Sequence, residues 1–321
     1  MGKMSSSKAV RGVLVLAAAV FIAGQASATK IGVLDWNHSE PRYKDTYNAV
    51  LAELKSQGID AEFVLKDAKG KKDATGDLIK ELQAAKPDAY LALGTSAVVP
   101  LAKAVTDKPV CFGMVYDPVG AKVANSWASS GNNVTGGSNF TSIPAFLRRV
   151  IKRSGLPIKR ITVLYTPGEK NSELQFEAVK PAEADLGVKV TGVEIKSLED
   201  IHKWAKGVAG SADMIILTGS NPIGTNIGLI TDAAIKAKII TATHLDDLVD
   251  RGVLLGLVTD PEEVGHVAGK ALAKVLKGAA PSSVPIEYPL PHLLINEKTL
   301  AAGGFTLPAD LKEWAASSAK K

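Results

Sequence analysis

Two short stretches carry hydroxyl groups where an apolar run gives way to a new helix. Leu91 to Pro100 reads LALGTSAVVP, and Ile215 to Gly224 reads IILTGSNPIG. Thr95 and Ser96 in the first, and Ser220 and Asn221 in the second, stand where helix N–H groups are free, which suits a carboxylate or other anionic group. Taken singly, each pair reads equally as a helix N-cap. Carboxylates follow two further apolar runs. Asp117 ends PVCFGMVYD, and the pair Asp246-Asp247 ends KIITATHLDD. In a partly dry cleft such a group pairs with an ammonium more strongly than on a surface. Asp117 also precedes Pro118, so it is equally placed to close a turn. Trp36, Tyr116 and Tyr165 sit beside similar strand ends. Each either stacks on a ligand ring or closes the end of the core. His244 reads as a structural hydrogen-bonder, and the lone Cys111 as packing.

No enzyme signature accompanies these groups. The chain has no Gly-x-Ser-x-Gly elbow and no His-Glu-x-x-His helix. GKKDATG at Gly70 lacks the spacing of a phosphate loop, and the five histidines show no metal-ligand spacing. Neither a metal nor a cofactor is therefore expected. An exported hydrolase stays the weakest of the readings.

The 321 residues begin with a basic start (Lys3, Lys8, Arg11), an apolar run from Val13 to Ala23 and the small-residue triplet Ala26-Ser27-Ala28. This is the pattern of a cleaved secretory signal peptide over residues 1–28, and it implies a periplasmic location. The leader holds three of the 38 basic residues and no acidic ones, which leaves 35 against 33 in the rest. So balanced a surface gives no footprint for nucleic acid.

Strands and helices alternate after the leader. Strands are expected over Ile31 to Leu34, Ala61 to Leu65, Ala89 to Leu93 and Val110 to Val115. Helices are expected over Asp45 to Gln57, Asp77 to Ala85 and Ala97 to Val105. Unbroken apolar strands separated by helices predict an α/β fold with parallel sheets covered on both faces. The order then begins again. KIGVLDWNHSE at Lys30 is echoed by RITVLYTPGEK at Arg160, PDAYLALGTSA at Pro87 by ADMIILTGSNP at Ala212, and KPVCFGMVYDP at Lys108 by KAKIITATHLDD at Lys236. A nearly constant offset in a constant order predicts two similar lobes. If they face each other, the polar strand ends line one cleft.

FGMVYDPVGAKVA at Phe112, GNNVTGGS at Gly131, VLYTPGEKNS at Val163 and VPIEYPLPHLLINEKTLAAGGFTLP at Val284 together resemble the ABC transporter substrate-binding proteins of the TrpX type. The likeness spans the whole mature chain. It implies a type I periplasmic binding protein fold: two doubly wound parallel-sheet lobes joined by hinge crossings, with a ligand cleft between them. The crossings fall near Phe140, Leu257 and Pro281. That divides the chain into residues 29–140 plus 258–280 and residues 141–257 plus 281–321. The task implied is the capture of a small, amino-acid-like solute by a monomer and its delivery to an inner-membrane ABC permease. A sensory role toward a membrane receptor is the alternative. By residue, the resemblance places Thr95, Ser96, Asp117 and Asn171 at the cleft, with Ser220 and Asn221 opposite. Ser220-Asn221-Pro222 replaces the usual Asp-Asn-Thr run, and Leu257 to Pro261 lack the tyrosines of the late Gly-x-Asp-Tyr-Tyr segment. An aromatic side chain on the solute is thus an inherited expectation.

Overall fold

The computed structural model describes residues 29–318, so the leader assigned to residues 1–28 lies outside the described residues. Strands β1 (Thr29–Asp35), β2 (Ala61–Asp67), β3 (Ala89–Leu93), β4 (Val110–Val115) and β5 (Val134–Ser138) form a parallel sheet in the order β2-β1-β3-β4-β5. A second sheet holds β6 (Arg160–Tyr165), β7 (Lys189–Glu194), β8 (Met214–Leu217), β9 (Ile240–Thr243), β10 (Leu255–Val258) and β11 (His292–Ile295). Its order is β11-β10-β9-β8-β6-β7, parallel except where β11 runs against β10. With β11 set aside, the second sheet repeats the first strand for strand. The two halves are lobes of one type I periplasmic binding fold. Strands β3, β4, β8 and β10 are buried along their whole length, whereas the edge strand β7 is largely exposed. That contrast is why the inner strands read as unbroken apolar runs.

The helix after β1 spans Pro41–Ser56, four residues earlier than its apolar spacing suggests. Pro41 at the first helical position presets the backbone for this start, and the added turn carries Arg42 and Tyr43. Gly94, at φ 96°, bends the chain between β3 and the helix Thr95–Ala104. A side chain there would put a Cβ 2.9 Å from the Tyr43 ring, so this corner requires glycine. Met114 has a positive φ of 57° beside a register shift in β4. Such a bulge re-aims the residues that follow it.

The chain passes between the sheets three times. After β5, Phe140 leads to the helix Ile143–Leu147, which joins the second core. After β10, the helix Pro261–Leu276 returns and packs on the helix Pro41–Ser56. The fit depends on small residues. A Cβ on Gly265 would lie 2.5 Å from Ala49 Cβ, and one on Gly269 would lie 2.6 Å from Glu53 Cβ. The sequence reading puts the third crossing near Pro281, but the chain stays on the first sheet until Glu287. Thr135 Oγ1 donates to the Val284 carbonyl at 2.8 Å, Ile286 N–H to the Trp127 carbonyl at 2.8 Å, and Ser138 N–H to the Glu287 carbonyl at 2.9 Å. Strand β5 is a sheet edge, and this segment satisfies polar groups that would otherwise be left unpaired. Phe140 and Tyr288, on the first and third crossings, share a ring cluster with Trp127. The centroids lie 5.2 to 5.5 Å apart.

Candidate functional site

Parallel strands send their carboxyl ends to one side, and a cavity lies there between the lobes. It measures about 320 Å³ counted out to its mouth. The enclosed free space within it is only about 20 Å³, room for about one water. The first lobe contributes Arg42 and Tyr43 from the helix after β1, Thr95 and Ser96 after β3, Met114 from β4 with Tyr116 just after it, and Asn139 after β5. The second contributes Asn171 and Gln175 from the helix Lys170–Val179, Gly219 after β8, and His244 with Leu245 after β9.

Three oxygens around this cavity, two from the first lobe and one from the second, are buried and have no hydrogen-bond partner among the described residues: Thr95 Oγ1, Asn139 Oδ1 and Asn171 Oδ1. The orientation of Asn171 is settled by its other end, since its Nδ2 donates to the Gly219 carbonyl. Buried polar atoms are nearly always paired in folded proteins, so three unpaired acceptors around one cavity mark where a donor is accommodated. Beside them the helix Thr95–Ala104 begins. Ala97 and Val98 direct their N–H groups to the Gly94 carbonyl, while the N–H groups of Thr95 and Ser96 precede the first helical bond.

Arg42 crosses from one lobe to the other. Its Nη1 donates to both carboxylate oxygens of Asp247 at 2.8 Å, and its Nη2 contacts Glu40. Arg42 and Asp247 are almost fully buried, so this pair is shielded from solvent as surface pairs are not. Further contacts close the rim. Asn37 Nδ2 donates to Asn221 Oδ1 at 3.3 Å, and Lys72 Nζ to the Gly168 carbonyl at 3.1 Å. Burial lifts the Glu169 carboxyl to about 7, against the pull of the Asn221 N–H, Arg42 and Lys72. Burial likewise lifts Asp246 to about 6, with the charge of Asp247 adding to it. His244 is pushed down to about 3, first by burial and then by Arg42, so its ring is neutral.

Of the residues singled out in the sequence, Thr95, Ser96, Tyr116 and Asn171 line the cavity. The others stand elsewhere for identifiable reasons. Trp36 is buried in the core beneath Gly94, closing the end of β1. Asp117 spends one oxygen on its own turn, accepting from the N–H groups of Val119 at 3.1 Å and Gly120 at 2.8 Å. Tyr165 stacks on Phe176 at 4.5 Å and donates to Glu194. Ser220 turns inward and accepts from Thr166 Oγ1 at 2.8 Å. Asn221 is at the rim, and its N–H is already held by the Glu169 carboxylate. The helix it opens, Asn221–Thr225, is only five residues long, so the second mouth has no free helix terminus to offer. Asp246 lies outside the cavity, and its neighbour Asp247 makes the contact across the lobes.

Sequence reasoning missed Arg42, Tyr43, Met114, Asn139, Gln175 and Leu245, and gave His244 only its structural half. One signal was available: Gln175 follows Asn171 by four positions and so shares its helix face.

The whole described chain has relatives. Residues 30–319 match the family described as ABC transporter substrate binding protein. A tyrosine-binding protein of Clostridioides difficile (strain R20291) is 24% identical over 246 residues, covering 76% of this chain and 71% of that protein. Among solved structures, an ABC domain in complex with L-Trp from Streptococcus pneumonia is 26% identical, with a TM-score of 0.81. That match covers 90% of this chain and 99% of the other. A conserved domain protein of Vibrio cholerae is 25% identical, with a TM-score of 0.82 and the same coverage.

Proposed function

The chain belongs to the ABC transporter substrate-binding protein family, a family of binding proteins rather than enzymes, and from that premise we propose that it captures a zwitterionic amino acid by closing its two lobes around it. The observation that carries this reading is that three unpartnered oxygens and a helix N-terminus border the same cavity. Thr95 Oγ1, Asn139 Oδ1 and Asn171 Oδ1 accept from the solute's ammonium. The N–H groups of Thr95 and Ser96, with the Ser96 hydroxyl, receive its carboxylate. Arg42 is already neutralised by Asp247 and Glu40, so it acts as a clasp between the lobes rather than as a carboxylate clamp. Relatives named for tyrosine and crystallised with L-Trp support an aromatic side chain. In this reading the protein is an exported monomer that delivers its solute to a membrane permease. Closure is the signal the permease reads, because contacts bridging both lobes stabilise one of two shapes.

Isothermal titration of the twenty standard amino acids tests the proposal. Saturable binding is expected, tightest among L-tyrosine, L-tryptophan and L-phenylalanine. The same solute without its amino group should bind at least about 100-fold more weakly, because it leaves the buried oxygens unpaired. Failure of every amino acid to bind would refute the reading.

A further inference from the structure

The protonation of His244 follows from its neighbours. A backbone N–H only donates, so the Gln175 atom that faces Gly219 N at 2.8 Å is its carbonyl oxygen. The Gln175 amide nitrogen then faces His244 Nε2, 3.2 Å away. Nε2 must accept, which puts the ring's one hydrogen on Nδ1. The ring stays neutral because burial and the Arg42 charge hold its pKa near 3. Tyr116 meets it edge-on at 5.1 Å, and Tyr116 is fixed in turn by donating its hydroxyl to the Thr141 carbonyl at 3.2 Å. His244 lines the cavity, and its Nδ1 has no hydrogen-bond partner among the described residues.

We infer that His244 is a specificity-determining residue that donates its Nδ1–H to an oxygen acceptor on the solute. The free oxygens of Thr95, Asn139 and Asn171 read donors, and His244, on the same lobe as Asn171, supplies the opposite polarity. A solute with no acceptor at that point covers this N–H without pairing it, and a site built around a hydrogen bond rejects such analogues strongly. The binding arm of this inference rests on the amino-acid reading above, while the tautomer does not.

Nitrogen-15 NMR of histidine-labelled, solute-free protein should show one ring that stays neutral with its hydrogen on Nδ1 from pH 8 to pH 5. That resonance should be lost in His244→Phe. A charged ring or an Nε2–H tautomer would overturn the inference. With the amino acid that binds tightest, His244→Asn keeps an N–H donor close to the Nδ1 position and should hold Kd within about threefold. His244→Phe keeps the ring contact with Tyr116 and should lose about tenfold, the worth of one neutral hydrogen bond. Equal losses in the two variants would also overturn it. If no amino acid binds, the proposed function falls, and the tautomer measurement alone then decides this inference.

Discussion

Removing the charge of Asp247 while keeping its shape isolates the clasp between the lobes. In the closed protein, Arg42 Nη1 lies 2.8 Å from both Asp247 oxygens, and both side chains are almost entirely out of water. Deleting one member of a buried pair costs about 3–5 kcal/mol, because the other charge is left uncompensated. Glu40 still touches the guanidinium in Asp247→Asn, so the lower end, about 3 kcal/mol, applies. The two residues belong to different lobes, so the penalty falls on the closed form, while an open form rehydrates Arg42. Solute binding is coupled to closure, so the whole penalty appears in affinity, as a Kd weaker by about two orders of magnitude. Isothermal titration measures that change, and small-angle scattering should show a larger radius of gyration at equal solute concentration. Thermal unfolding of solute-free protein should change less than binding does. A Kd within threefold of the parent would refute the clasp.

Closure should also tighten as pH falls. Glu169 and Asp246 hold protons up to about 7 and 6 in the closed form, against ordinary values of 4.5 and 3.8. Closing therefore takes up protons, and the closed form gains as pH drops through those values toward 4.5. Counting only about 1.4 kcal/mol of this, Kd should be about tenfold tighter at pH 5.5 than at pH 8, while Glu169→Gln should flatten the profile. Gly265→Ala should lower stability by about 1–3 kcal/mol by overpacking against Thr46 and Ala49, read as a fall in Tm. Asp117→Ala should lose about 1 kcal/mol of stability with its turn bonds and leave Kd within about threefold; a large loss of affinity would return Asp117 to the site.

The sheets were legible in the sequence because buried parallel strands are continuous apolar runs, and the duplicated order of β1, β3 and β4 in β6, β8 and β9 survives as an offset. Thr95 and Ser96 were legible because a strand followed by glycine and hydroxyls announces a helix start. Arg42 and Tyr43 were hidden by a boundary. Apolar spacing begins the helix at Asp45, while Pro41 begins it one turn earlier, and that turn holds the cation of the clasp. Ser220 and Tyr165 misled because a repeat equates strand ends and not side-chain directions: the Ser220 hydroxyl finds Thr166, and the Tyr165 ring finds Phe176. The positive φ of Met114 leaves no trace in composition. The third crossing was misplaced because Val284, Ile286 and Glu287 bond the first lobe through their backbone groups alone, and such bonds impose no pattern on the residue types of that segment.

The rings of Trp127, Phe140 and Tyr288 bind two of the three connecting segments to each other. Segments pinned together in this way cannot twist independently, which confines the halves to swinging about a common line, like a lid on one rod. Tyr116 touches Phe140 at 5.6 Å and His244 at 5.1 Å, so the pivot rests directly against the ceiling of the chamber. Whatever sits inside presses on the axle itself, and the indole of Trp127 offers a built-in optical gauge of the swing.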